Sequence, residues 1–320
     1  MRLSILASIG LMAVPAFSHK EITPGMAKRG AELSKRCATG VASFNKRRYE
    51  RRSAENLKRR AENSTFEIVT EAPYYDVLQN DTCVLVPDVT AGPYYWPRSE
   101  TLRQDMTEGE PGVPLILDVG VIDMSTCEPL PNALVAFWHC NATGSYSSFT
   151  GHSPNTPFRE LLEQLNVTDF EIGKTDLHTD DTTFLRGMWP TNAEGILEMK
   201  TIFPGFYVER SIHIHTQVFT DWVAHTNGTI KTGDLNSIGQ LYFDETTSQQ
   251  LMELEPYVIH TEINRTTNDV DSIYAAGFEN GYNPVVDVVP LDGKDIRNGV
   301  IGYITMGIDT ENNPELSGGL

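Results

Sequence analysis

The chain has 320 residues, 40% hydrophobic and 21% charged, with a formal net charge of −18. That is enough apolar material for one large core and too polar for a bundle of membrane spans. Residues 1–60 carry 14 Lys/Arg against 4 Asp/Glu, and the remainder carries 11 against 39; a body this acidic repels phosphate backbones, which argues against nucleic acid as a partner.

Met1–Arg2, the apolar run Leu3 to Val14 and the small residues of Ala16-Phe17-Ser18 read as a signal peptide over 1–18, because the apolar run is too short to span a bilayer. The expected location is therefore secreted, extracellular. Six N-x-S/T sequons, at Asn63, Asn80, Asn141, Asn166, Asn227 and Asn264, agree with a glycoprotein. Residues 19–62 form a basic extension with Lys46-Arg47-Arg48, Arg51-Arg52 and Lys58-Arg59-Arg60. It reads either as a dibasic propeptide or as a short helical piece packed on the edge of the body.

From about Asn80, short apolar alternations are punctuated by Gly, Pro, Asn and Asp. Val113 to Met124 predicts a strand with Leu115, Leu117, Val119 and Val121 on one face, since strand side chains alternate with period two. Ala133 to His139, Gly195 to Phe203, Ser211 to Phe219, Gly239 to Phe243 and Gly299 to Met306 read the same way. Helical signal is confined to Thr156 to Leu165 and Thr246 to Leu254. The expected fold is all-β: an antiparallel β-sandwich over 63–320 with a short, basic, helical N-terminal extension. Four cysteines in a secreted chain suit two disulfides. The turn Glu128 to Asn132 between apolar runs favours Cys127–Cys140, which leaves Cys37 with Cys83.

His213-Ile214-His215 is the sharpest local feature. On a strand both imidazoles point to one face, a ready metal-binding pair. A Zn or Fe(II) enzyme would add a carboxylate, Glu209 or Asp221, but their offsets from His213 do not place one at the metal. The surroundings are phenolic and cationic instead: the turn Pro204-Gly205-Phe206-Tyr207, then Arg210, and upstream Trp138 to Tyr146 ending in a Gly turn.

With Gly92-Pro93-Tyr94-Tyr95, Phe184-Leu185-Arg186-Gly187 and Gln240-Leu241-Tyr242-Phe243, these motifs in order resemble the intradiol ring-cleavage dioxygenases, non-haem Fe(III) enzymes, and look most like their secreted fungal branch. The resemblance spans about Cys83 to Tyr242. It implies Tyr146, Tyr207, His213 and His215 as ligands of Fe(III), two anionic phenolates offsetting the charge of a hard cation. It further implies Tyr207 as proton acceptor, Arg210 as the group that stabilises negative charge on the ring, and Gln240 as its neighbour. Tyr94, Tyr95 and Trp189 are the expected pocket walls, with Trp138 and Cys140 assigned to core and bridge. The implied reaction joins a small aromatic diol and O2, opening the ring between the hydroxyls to a muconate-type diacid, with cell-wall or lignin-derived phenols as possible sources. Only five residues separate Tyr207 from His213, fewer than in the intracellular enzymes of the family, so the wall built by that loop must differ and substrate preference does not transfer. The competing reading is a non-catalytic secreted sandwich that contacts wall or carbohydrate.

Overall fold

The computed structural model describes residues 29, 32–33, 35–48, 89–99, 101–225, 230–278 and 283–314. The leader 1–18, the runs Arg51-Arg52 and Lys58 to Arg60, Cys83, and the sequons at Asn63, Asn80 and Asn227 lie outside them. A helix, α1, runs over 35–48. The strands are β1 (Pro114–Asp123), β2 (Glu128–Pro129), β3 (Leu134–Trp138), β4 (Arg186–Pro190), β5 (Ile196–Ile202), β6 (His213–Thr220), β7 (Val223–Ala224), β8 (Ile230–Lys231), β9 (Asp234–Tyr242), β10 (Asp287–Pro290) and β11 (Val300–Ile308). Three further helices are α2 (Phe158–Leu165), α3 (Glu245–Met252) and α4 (Ser272–Ala276). Asp244 caps α3 through the Thr247 amide, and Asp271 caps α4 through the Ile273 and Tyr274 amides. Among the described residues no helix is long and apolar enough to cross a membrane.

One sheet has the order β10-β11-β1-β2, with β5 also paired to β1; a second has the order β4-β3-β6-β9. Their inward faces share one hydrophobic cluster. Leu115, Leu117, Val119, Val121, Leu197, Met199, Ile304 and Met306 come from the first sheet, and Val135, Phe137, Ile214, Val218 and Leu241 from the second. Each large side chain so buried contributes about 1.5–3 kcal/mol. The period-two reading of β1 therefore matches the structure. Its pairing is less uniform than expected: β1 and β11 run parallel in register Leu115↔Val300 to Asp123↔Ile308, while the other sheet pairings are antiparallel. A parallel neighbour must be reached by a long crossover, and β11 follows the excursion that carries α3 and α4.

The outer face of β1 is buried too, because α1 lies on it. Cys37, Val41 and Phe44 pack with Ile122, Met124 and Ile196. Arg48, the last residue of the run Lys46 to Arg48, is buried and donates from Nε to Asp118 Oδ1 at 2.6 Å and from NH1 to Ile304 O and Thr305 Oγ1. Leaving either charge of such a pair unpartnered costs about 3–5 kcal/mol.

The disulfide pairing expected from the sequence is corrected. Cys37 bonds Cys127, fastening α1 to the end of β1. Cys140 is a free, buried thiol, which burial pushes up to about 12. The reason is topological: Cys127 lies between β1 and β2, which pair in one sheet, whereas Cys140 follows β3 of the other sheet, so the two cysteines do not flank neighbouring strands.

On β10, across from Tyr303, burial pushes the Asp287 carboxyl up to about 6. The folded protein holds this proton more tightly than the unfolded chain, so its contribution is fully present below about pH 4 and is lost as the pH rises through 6. Asp287→Asn should stabilise the fold at pH 7.5 by about 1 kcal/mol once partial solvent exposure is allowed for, raising the melting temperature there, and leave it unchanged at pH 3.5. Thermal melts at the two pH values check this; an equal gain at both would contradict it.

Candidate metal centre

The site lies on the outer face of the second sheet. There the pleat turns His213 and His215 of β6 outward, beside Trp138 of β3 and Gln240 and Tyr242 of β9, while Ile214 and Leu241 point into the core. Both histidines are buried. His213 donates from Nδ1 to the Ser211 carbonyl at 2.7 Å, which leaves its Nε2 lone pair free to face the Nε2 of His215 at 3.1 Å. His215 stacks on Trp138 with ring centroids 4.9 Å apart and planes within 4°. Trp138 is buried core, as expected, and through this stack it also packs the site.

The tyrosines arrive on two interlocked loops. Asn141 Oδ1 accepts from the amides of Thr143 and Ser145, folding the turn that delivers Tyr146. Gly144 has φ +86°, and a Cβ there would sit 2.2 Å from the Phe206 carbonyl oxygen. In return, a Cβ on Gly205 would sit 2.4 Å from the Asn141 carbonyl oxygen. Each loop fits only because the other's closest residue lacks a side chain, and Tyr146 and Tyr207 emerge with ring centroids 5.5 Å apart. The five-residue connection after Tyr207 includes Glu209 at φ 66° and brings the Tyr207 hydroxyl to 3.3 Å from His213 Nε2. The short loop thus closes the set.

Burial pushes the Tyr207 hydroxyl up to about 12, partly offset by Arg210, and pushes Tyr146 well above its ordinary value, with Tyr207 adding to the rise. Burial, reinforced by Arg210, holds His213 down to about 3, and burial together with His213 holds His215 well below its usual range. The imidazoles are neutral and ligand-ready; the phenols are neutral until a cation ionises them.

These residues fit a metal ion. The buried Tyr146 hydroxyl, though beside that of Tyr207, makes no hydrogen bond of regular geometry. Two ring nitrogens 3.1 Å apart need a proton or a cation between them, and that spacing suits two bonds of about 2.1 Å to one ion. Two phenols and two imidazoles suit a hard trivalent cation. No carboxylate joins them: Glu209 and Asp221 are exposed, and no group of three or more His, Cys, Asp or Glu gathers among the described residues.

Arg210 donates to Gln240 Oε1 at 2.5 Å, to the Tyr242 hydroxyl at 3.1 Å and to Asp271 at 3.0 Å. Burial works against its charge, but Tyr242, Tyr207 and Asp271 outweigh that and keep it protonated. Gln240 donates to the Thr90 carbonyl and so ties the 89–99 loop to the sheet while holding Arg210. Tyr94 stacks on Tyr146 with centroids 4.7 Å apart and meets Tyr207 edge-on at 5.9 Å. Tyr95 lies one layer back, against Trp138. Trp189 is not a wall: it sits on the opposite pleat of β4, paired with Val135 and packed on the core.

Arg186, Asp271 and Tyr242 were not assigned site roles from the sequence. Arg186 is buried and donates to Ser147 Oγ, Ser147 O and Tyr94 O, bracing the loops of both Tyr94 and Tyr146. Their presence in Phe184-Leu185-Arg186-Gly187 and Gln240-Leu241-Tyr242-Phe243 was the available signal for Arg186 and Tyr242; Asp271 had none, since its partners are set by a distant return of the chain. His139, bonded to Cys140 O and Thr201 Oγ1, is structural, as expected of a lone histidine.

The family model Dioxygenase_C, described as "Dioxygenase", matches residues 90–252. Among solved structures, the intradiol ring-cleavage dioxygenase from Tetranychus urticae is similar over 73% of this chain and 98% of its own, at 26% identity and a TM-score of 0.57. The dioxygenase Tetur07g02040 is similar over the same shares at 25% identity and a TM-score of 0.56. No curated protein matches the chain. The matched segment covers half the chain and contains all four donors gathered on the sheet; on this match the chain belongs to the intradiol ring-cleavage dioxygenase family.

Proposed function

We propose that the protein is a secreted ferric dioxygenase that uses O2 to open catechol-type diols between their two hydroxyls, giving muconate-type diacids. The observation that carries this reading is the buried convergence of Tyr146, Tyr207, His213 and His215 beside the fixed guanidinium of Arg210. The family is generally non-haem and ferric; when bound, Fe(III) supplies the positive charge that ionises the phenols and makes a chelated diol electron-rich toward O2. Tyr207 takes a proton from a diol hydroxyl. Arg210 faces the negative charge that develops on the ring, and a charge fixed in advance in a dry site is worth more than one in water. Gln240 and Tyr242 hold that arginine, and Tyr94 and Trp138 keep water from the donor atoms.

Secretion is part of the proposal, with 1–18 as leader, 19–62 as extension and 63–320 as the β-sandwich body. It rests on the leader pattern, the sequons and the Cys37–Cys127 bridge, which suits an oxidising compartment. Phenols released from cell walls or lignin are the fitting substrate pool. A carboxylate-based Zn or Fe(II) site lacks its carboxylate, and a wall-contacting module has no use for four buried donors converging on one point.

The test is the purified, iron-supplied protein offered catechol, protocatechuate and hydroxyquinol. The expected result is a red-brown phenolate-to-ferric band, perturbed by diol, with O2 uptake matched by muconate-type product. A colourless iron-loaded protein that consumes no O2 with any of the three overturns the proposal.

A further inference from the structure

The segment after residue 252, beyond the matched family segment, folds back over the site through one buried carboxylate. Asp271 Oδ2 accepts from Arg210 Nε at 3.0 Å, from the Ser211 amide at 2.9 Å and from Ser211 Oγ at 3.0 Å. Its Oδ1 accepts from the Ile273 and Tyr274 amides at 2.8 and 3.2 Å, starting α4. Tyr274 then packs edge-on against Tyr242, with centroids 5.1 Å apart, and Tyr242 donates to Gln240 Oε1 at 2.8 Å. Arg210 is thus held from two sides, by β9 through Gln240 and Tyr242 and by the 270s through Asp271. The Ser211 carbonyl that orients His213 belongs to a residue whose own amide and hydroxyl are bound by the same carboxylate.

We infer that Asp271 is a positioning residue that aims the Arg210 guanidinium at the reacting ring. Its carboxylate fixes the Nε edge of the guanidinium, and Gln240 and Tyr242 fix one terminal nitrogen. Two such anchors leave a planar fork one orientation, with the remaining terminal nitrogen directed away from both. With only the Gln240 and Tyr242 anchor the fork can pivot, and the charge no longer meets the ring in a single geometry.

The inference rests on the proposed dioxygenase reading for its catalytic consequence, and the experiment separates the two. Asp271→Asn retains shape and helix-capping ability. It should lower kcat about 10- to 100-fold with a smaller change in KM, as expected when a charged group is misaimed by about 1 Å. The melting temperature should fall, because Arg210 loses its buried carboxylate, while at temperatures well below it the iron content and visible band should stay as in the parent. Added to Arg210→Met, the same change should cost nothing further, because two residues acting through one group are not additive. In the metal-free protein, an arginine-selective dicarbonyl reagent, with sites read by mass spectrometry, should modify Arg210 several-fold faster in Asp271→Asn, while Arg48 and Arg186 are unchanged. Unaltered Arg210 labelling, unaltered kcat, or full additivity with Arg210→Met overturns the inference. Loss of ring cleavage in the parent protein, with the labelling difference intact, removes the dioxygenase reading and leaves the positioning of Arg210 standing.

Discussion

Tyr207→Phe should leave a folded protein whose visible band is weakened and shifted and whose ring cleavage falls by about 10²–10⁴-fold, the usual worth of a positioned proton acceptor. The change removes one oxygen and keeps the ring, so the edge contacts to Tyr94, Tyr146 and His213, with centroids 5.9, 5.5 and 5.6 Å away, are retained. Stability should move little, because the hydroxyl's partner is the His213 ring nitrogen rather than a backbone group. On the proposed reading, what goes is one of two anionic donors and the group that takes a diol proton. Absorption spectra and O2 uptake of the two proteins side by side decide the matter. An unchanged band with full turnover would remove Tyr207 from the donor set.

The second large effect belongs to a residue with no functional group. Gly205→Ala would press a methyl against the Asn141 and Ala142 carbonyl oxygens at 2.4 and 2.5 Å and the Ala142 carbonyl carbon at 2.6 Å. All three are backbone atoms, so no rotamer change relieves the overlap. Relief can come only by parting the loops that carry Tyr146 and Tyr207. A cost of about 3–5 kcal/mol is expected, in the range of the most damaging single substitutions, together with loss of the proposed ferric band. Gly109→Ala is the comparison: at φ +81° with open space around it, it suffers only the left-handed backbone penalty, about 1 kcal/mol. Thermal melts and visible spectra of both variants test the difference. Equal, small shifts would mean that the loops are not interlocked.

The strands with clean alternation or long apolar runs, β1, β3, β5, β6, β9 and β11, were legible in the sequence to within a few residues. Only β9 began well upstream of its expected start, at Asp234 rather than Gly239. β4 and β10 were not. β4 reads Arg-Gly-Met-Trp-Pro, with a glycine inside and a proline at its end, and is a strand only because β3 provides its hydrogen bonds. The parallel β1–β11 pair could not be read from periodicity, which reports faces and not neighbours. The same limit explains the site. His213 and His215 were visible because their spacing matches the strand repeat. Tyr146 and Tyr207 sit in loops, where no repeat exists; the Gly turns before them drew notice, but their role as ligands came through the resemblance. Trp138 and Asp271 depend on register and on a distant return of the chain, so nothing local announces them. Trp189 was misplaced because the face of a short strand was judged without its partner.

The burial of Arg48 limits where the basic extension can be cut. A processing protease must draw an arginine side chain into its own cleft, and here that side chain is threaded between Asp118 and the backbone of the last strand. Scission after Lys46-Arg47-Arg48 must then precede folding or be refused by the finished protein. A cut at Arg51-Arg52 or Lys58 to Arg60 would free nothing, since the sulfur bridge from Cys37 keeps the severed piece tethered. After such a cut, electrophoresis without reductant would report one species and with reductant two.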